Sequence, residues 1–191
     1  WMNEGFPPRS SAASTSILSA LDGLAIEEAA LGDFDGDGDL DLFAAVVAPD
    51  HGRNPDRADR VLFNDGAGSF TDSGQRLGET DSPAVALGDL DGDGDLDALV
   101  GKGNGAEPWM NEGGIQGGEP GTFALASRRI PGGQIRAVLL SDLDGDRDLD
   151  ALLAGRRRAT VWWNDGEAGF TDSGPRFRYS RKHGLTVGDF D

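Results

Sequence analysis

Apolar residues gather in short runs separated by clusters of Gly, Asp, Asn and Ser. Leu42-Phe43-Ala44-Ala45-Val46-Val47 is one such run, and Ala84 to Gly88, Ala98 to Gly101, Pro108 to Asn111 and Phe123 to Ser127 are others. Runs this short, bounded by turn formers, predict strands, because an amphipathic helix needs a longer segment with apolar positions recurring every third or fourth residue. One segment is ambiguous: Leu18, Leu21, Ala25 and Ala29, within Ile17 to Ala30, could form a short amphipathic turn. It reads as a connector leading into a strand at Ala29. The chain is therefore expected to be all-β, an array of short strands joined by tight turns.

Two motifs recur in step along this array. The first is an aspartate-rich nonapeptide with Asp at every odd position, complete at 33 to 41, 89 to 97 and 142 to 150, and begun again at Asp189-Phe190-Asp191. The second places two bulky apolar residues before Asn, an acid and Gly, at Trp1 to Gly5, Leu62 to Gly66, Trp109 to Gly113 and Trp162 to Gly166. Asn and Gly tolerate positive φ, so this second motif predicts a strand running into a tight hairpin. A strand restarts at an aromatic soon after, at Phe6, Phe70, Phe123 or Phe170. First positions at 33, 89, 142 and 189 give spacings of 56, 53 and 47 residues, the period of a supersecondary repeat. Each repeat then holds four strands, with the aspartate loop between the first and second. Residues 48 to 60, rich in Pro, Asp, Arg and Asn, lengthen the loop between the second and third strands of the first complete repeat.

Five carboxylates in nine residues repel one another unless a cation joins them. Carboxylate oxygens select a hard ion, and Asp at the first, third and fifth positions with Gly at the sixth is the pattern of calcium loops. The candidate ligands are Asp33, Asp35, Asp37, Asp39 and Asp41 in the first loop, and Asp89, Asp91, Asp93, Asp95 and Asp97 in the second. The third offers Asp142, Asp144, Asp146, Asp148 and Asp150. Positions one, three, five and nine are assigned as side-chain ligands, and the seventh residue (Asp39, Asp95, Asp148) as a backbone carbonyl ligand. The eighth residue (Leu40, Leu96, Leu149) is expected to turn inward to the core. These are not EF-hands, since the twelfth positions are Ala44, Val100 and Leu153 in place of Glu, and a strand follows each loop. About three calcium ions per chain are expected, with a fourth site truncated at Asp189 and Asp191. Arg147 stands at the sixth position of the third loop, where positive φ is needed, so this loop is expected to bind most weakly.

Leu87 to Asp97 and the downstream Asn64 to Asp72 resemble FG-GAP-like repeats of the VCBS type, related to the repeats of integrin α-chain β-propellers. That resemblance implies four-stranded blades around a central axis, with a calcium loop between the first and second strands and the Asp ligands at the positions named above. The expected fold is an incomplete β-propeller. Residues 1–24 would be the end of a blade plus a connector, 25–80, 81–132 and 133–180 three blades, and 181–191 the first strand of a further blade. With both ends inside a repeat, the chain is expected to be marginal and prone to associate in isolation, and the remaining blades of a parent propeller are its first expected partners.

Composition narrows the function. Of 34 acidic residues, 17 lie in the aspartate loops, so the net charge of -17 is concentrated at the candidate metal sites and argues against nucleic-acid binding. Arg156-Arg157-Arg158 is a small basic run whose simplest reading is a solvated turn, with contact to an anionic glycan as the sharper alternative. With no cysteine, disulfides, thiol catalysis and zinc-thiolate sites are excluded. No segment predicts membrane insertion. His51 and His183 sit in different repeats without a matching nucleophile and read as loop residues. Trp1, Trp109, Trp162 and Trp163 could stack on sugars, but their recurrence at equivalent strand positions favours packing between repeats. Calcium loops of extracellular affinity favour an extracellular or cell-surface setting. The expected function is a non-catalytic calcium-binding scaffold for adhesion or for a protein or glycan ligand. The alternative is the propeller portion of an extracellular enzyme such as a polysaccharide-degrading hydrolase or lyase. A strandless array resembling thrombospondin type 3 repeats is disfavoured by the long apolar intervals and the lack of cysteine.

Overall fold

A computed structural model describes residues 21–48, 57–113 and 117–178. The motif at Trp1 to Gly5, both histidines, most of the 48 to 60 insertion and the fourth aspartate copy at Asp189 and Asp191 lie outside these residues. The described chain is all-β, with thirteen strands and no helix. The first sheet runs β1 (Ala25–Gly32), β2 (Asp41–Val47), β3 (Arg60–Asn64), β4 (Phe70–Asp72) in chain order. The second repeats that order with β5 (Ala84–Gly88), β6 (Asp97–Lys102), β7 (Gly105–Asn111) and β8 (Phe123–Leu125), and the third with β10 (Ile135–Ser141), β11 (Asp150–Gly155), β12 (Arg158–Trp163) and β13 (Thr171–Arg178). All pairings are antiparallel.

The fourth strand varies in a way its turn chemistry did not predict. In the second sheet it is broken in two, so that a short β9 (Ile130–Pro131) pairs with the start of β7. The first sheet reduces this second piece to a single bridge, Asp59 to Leu77, and the third keeps one continuous strand with an irregularity. Gly105 permits the break, with φ at 137° and no room for a Cβ against the Ile130 carbonyl. A second departure is β1, which begins at Ala25, four residues ahead of the expected start at Ala29. A bulge between Ile26 and Glu28 breaks the two-residue alternation there, and the Ala- and Glu-rich run imitates a helix.

The core lies in the seams between consecutive sheets. Strand β6 is buried along its whole length, and its alternate residues serve both seams. Ala98 and Val100 pack with Phe34, Phe43, Ala45 and Val61 of the first sheet, whereas Leu99 packs with Ala151, Leu153 and Trp162 of the third. Trp109 and Trp162 are both buried in these seams, in keeping with packing. Two Phe pairs, Phe34 with Phe123 and Phe43 with Phe123, meet edge to face across the first seam.

The eighth loop residue does not enter the core of its own sheet. Leu96 packs onto Gly32 of the first sheet and Leu149 onto Gly88 of the second, close enough that a Cβ on either glycine would fall 2.7 and 2.6 Å from the leucine Cδ1. Leu40 has no preceding sheet among the described residues and is 55% exposed, as is its neighbour Leu31 at 57%. The leucine is thus a contact between repeats, and it is buried only where a repeat precedes it.

Polar staples cross the same seams. The hairpin asparagine of each later sheet donates its side-chain amide to the carbonyl of the second loop residue of the sheet before: Asn111 Nδ2 to the Phe34 oxygen at 2.9 Å, and Asn164 Nδ2 to the Leu90 oxygen at 2.8 Å. Asn64 instead donates to Leu40 within its own sheet, at 3.1 Å. The Val85 amide likewise donates to Glu28 of β1, at 2.9 Å. Deeper in the first seam, Lys102 is fully buried, with Nζ 2.5 Å from Ser82 Oγ, 3.2 Å from Asp59 Oδ2 and 3.9 Å from Glu107 Oε2. Removing one member of such a buried group strands an unpaired charge, which typically costs about 3–5 kcal/mol.

The staples give an ordered expectation. Asn111→Ala removes a buried side chain that also accepts the Gly121 amide at 2.9 Å, and leaves the Phe34 carbonyl unpaired. Chemical denaturation is expected to show a loss of about 1–3 kcal/mol for Asn111→Ala and Asn164→Ala, and a smaller loss for Asn64→Ala. Equal losses at all three positions would show that the asparagines act within their own sheets.

Candidate metal centres

Each aspartate loop joins the first strand of its sheet to the second, at the same end of all three sheets. Its first aspartate closes the turn by accepting two backbone amides. Asp33 takes those of Gly36 (2.8 Å) and Gly38 (3.0 Å), Asp89 those of Gly92 (2.8 Å) and Gly94 (3.1 Å), and Asp142 those of Gly145 (2.7 Å) and Arg147 (3.1 Å). The third and fifth aspartates each accept the amide two residues on, at 2.9 to 3.3 Å. These bonds turn the carboxylates of one loop towards a shared centre.

The ninth aspartate fastens the loop to the sheet. Asp41, Asp97 and Asp150 are fully buried, and each accepts two amides. One comes from the second loop residue (Phe34, Leu90 or Leu143, at 2.8 to 2.9 Å), and the other from the hairpin asparagine (Asn64, Asn111 or Asn164, at 2.8 to 3.0 Å). The two recurring sequence motifs therefore meet at one carboxylate. Sequence reasoning placed them in the same repeat but found no signal for their contact, because 14 or more residues separate the bonded groups.

Among the described residues, three groups of carboxylates could hold a metal ion: Asp33, Asp35 and Asp37; Asp89, Asp91 and Asp97; and Asp142, Asp144 and Asp146, with one oxygen from each residue of a group lying within 4.8 Å of the others. Of the predicted ligands, Asp97 joins its group, whereas Asp41 and Asp150 act as staples outside theirs, and Asp93 lies outside the closest triad of its loop. The seventh aspartates turn their side chains away. Asp39, Asp95 and Asp148 lie against Gly66, Gly113 and Gly166 of the hairpin, where any Cβ would overlap or crowd their oxygens. Asp95 Oδ2 is buried there without a hydrogen-bond partner.

Arg147 adopts the conformation of the glycines it replaces. Its φ is 85°, beside 95° at Gly38 and 96° at Gly94, and its amide keeps the bond to Asp142. The loop is therefore held closed with a strained residue, at a typical cost of about 1–2 kcal/mol. That strain is present with or without an ion, so it bears on stability, and only the guanidinium charge bears directly on cation binding.

Carboxylates so crowded resist ionisation. Burial, joined by the charges of Asp91 and Asp93, pushes the Asp97 carboxyl up to about 7, against the pull of its two amides. Burial and neighbouring aspartates also raise Asp35, Asp91, Asp95, Asp144 and Asp148. Without a cation the folded chain then holds protons that the unfolded chain releases once the pH passes about 4. Stability in chelator is expected to fall as pH rises from about 4 to about 7, and added calcium is expected to stabilise more at pH 8 than at pH 5. Thermal melting across that range checks this. A chelated protein that gains stability between pH 5 and pH 8 would contradict it.

A different titratable cluster, Lys102 with Asp59, Ser82 and Glu107, was missed in the sequence, where Lys102 merely ends an apolar run. Burial pushes the Asp59 carboxyl up, while the Lys102 ammonium, the Val46 amide and the Ser82 hydroxyl pull against it. Lys102 and Asp59 have no exposed surface, so the cluster offers nothing to a substrate.

Comparison with known proteins agrees with the repeat geometry. Residues 33–100 match the family described as FG-GAP-like repeat. No curated protein matches the chain. Among solved structures, the chain is similar to an Agrocybe aegerita lectin described as specifically recognising non-reducing terminal N-acetylglucosamine, with 22% identity over 81% of this chain and 38% of that chain and a TM-score of 0.50. It is also similar to the Chaetomium thermophilum Nup170 NTD–Nup53 complex, with 14% identity over 91% of this chain and 24% of that chain and a TM-score of 0.44. The chain spans less than half the length of either. At these identities the likeness concerns the fold alone.

Proposed function

We propose that the chain, whose residues 33–100 match the FG-GAP-like repeat, is a calcium-stabilised portion of a β-propeller that presents a surface for ligand binding or adhesion and carries no catalysis of its own. The observation that carries this reading is the threefold recurrence of one carboxylate arrangement, anchored by a buried aspartate to the hairpin that contacts the preceding sheet. All-oxygen donors suit a hard divalent cation, with calcium favoured by the many-carboxylate site. The residues that would hold it are the three groups above, joined by the fifth aspartate Asp93 of the second loop. Binding an ion there removes the repulsion that raises their pKa values, and so tightens the same loops that carry the contacts between sheets.

Exposed Leu31 and Leu40 support a blade docked before β1, since their counterparts Leu87, Leu96, Leu140 and Leu149 are all packed in seams. An extracellular setting fits calcium loops of this kind, whose affinities of about 10⁻⁴ to 10⁻³ M need millimolar calcium. The lectin described above makes a glycan one natural ligand class to test. The alternative reading is a propeller portion of an extracellular enzyme, in which the exposed loop carboxylates would serve as acid and base where the calcium reading uses them as ligands.

Calorimetric titration is expected to give close to three calcium ions per chain. At about 2 mM calcium and a dissociation constant of about 0.1 mM, each saturated site adds about 1.8 kcal/mol of stability. Arg147→Gly is expected to raise stability in chelator by about 1 kcal/mol and to strengthen the third site through loss of its charge. No binding heat and an unchanged melting curve would remove calcium from the account.

A further inference from the structure

The two seams between sheets are built alike but filled differently. In the register of the sheets, Gly155 of β11 stands where Lys102 stands in β6, and Ala106 of β7 stands where Asp59 stands beside β3. The first seam is closed by the Lys102 and Asp59 pair. The second lacks both side chains, and a cavity of about 560 Å³ opens in their place. It lies at the Ile135 to Gly155 end of the third sheet, opposite the aspartate loop that joins Ser141 to Asp150.

The lining of this cavity is unlike the rest of the molecule. Ile135, Leu153 and Trp162 form an apolar floor, and Thr160 and Gln134 add hydrogen-bonding groups. Arg156 and Arg157, exposed on the β11 to β12 turn, and Arg158 at the start of β12 stand at its rim without a carboxylate partner among the described residues. Arg176 reaches the same cavity from β13, oriented by a two-pronged bond to Asp172 at 2.8 and 2.5 Å. In a chain with 34 acidic residues and a net charge of -17, no carboxylate among the described residues lines this space.

We propose that this cavity binds an anionic pyranose, a single sugar ring carrying a carboxylate or a sulfate group. Guanidinium groups pair with planar or tetrahedral oxyanions through charge-assisted bonds. An apolar floor with interleaved polar groups suits the C–H face and hydroxyls of a pyranose, and the volume falls in the range of small-ligand pockets, about 300–1,000 Å³. An inorganic ion would leave the floor uncovered. A neutral sugar would leave the arginines unused. The proposal rests on the reading of the chain as a ligand-binding scaffold, but not on calcium, because the cavity is at the other end of the strands.

The test is calorimetric titration of the whole chain with methyl glucuronide, glucose 6-sulfate, methyl glucoside and sodium sulfate. At least one of the two anionic sugars is expected to bind at least about tenfold more tightly than both methyl glucoside and sulfate, and the preferred one identifies the anionic group. The Arg156→Gln, Arg157→Gln double variant is expected to weaken that binding at least about tenfold, whereas Arg76→Gln, which removes one arginine charge from the first repeat, leaves it unchanged. Repeating the calcium titration on the double variant separates the two readings: unchanged calcium stoichiometry with lost sugar binding supports the pocket. Equal binding of glucoside, equal binding of sulfate alone, no binding of either anionic sugar, or an unaffected double variant would each overturn it.

Discussion

One buried carboxylate per repeat organises this molecule. Asp41, Asp97 and Asp150 each take one amide from the start of the aspartate loop and one from the hairpin asparagine, and all three are sealed from solvent. A carboxylate so placed is costly unless its oxygens are satisfied, and two backbone bonds do so while fixing two distant turns. The loop cannot shift without moving the hairpin. The hairpin, in turn, holds the asparagine whose side chain reaches the sheet before it, so the geometry of a charged loop passes directly into the packing of neighbouring repeats.

That coupling explains why the seams are interlocked by small and large residues in register. Glycine before each loop receives the leucine of the next, at Gly32 with Leu96 and at Gly88 with Leu149. Such pairs make each repeat depend on its neighbours, as in other repeat arrays. The seams are not copies, however. Lys102 and Asp59 turn the first into a buried ionic contact, and their replacement by Gly155 and Ala106 leaves the second open to a ligand.

Much of this was legible in the chain. Short apolar runs between turn formers located four strands of the second repeat, Ala84 to Gly88 to the residue, while the third began three residues earlier than expected and the short β9 was not foreseen. The positive φ at the sixth loop position was also readable, because only glycine meets it without strain and Arg147 stood out against that rule. What could not be read were contacts set by neighbouring repeats. Leu40, Leu96 and Leu149 occupy the same sequence position, yet Leu40 is exposed and the others are packed, and no local pattern distinguishes them. The start of β1 was hidden by a bulge, and the buried ion pair by the 43-residue separation of Asp59 and Lys102. The ninth aspartate was readable as a ligand but not as a staple, since both roles require the same residue type.

The central claim is that each loop is a preformed cation site whose ninth aspartate stays bound to the backbone. Anomalous diffraction from crystals grown with calcium tests it most directly. The account predicts one peak in each loop, with carboxylate oxygens at about 2.3–2.6 Å from the ion and the amide bonds of Asp41, Asp97 and Asp150 intact. Loops without peaks, or ions that pull these three aspartates away from their amides, would contradict it.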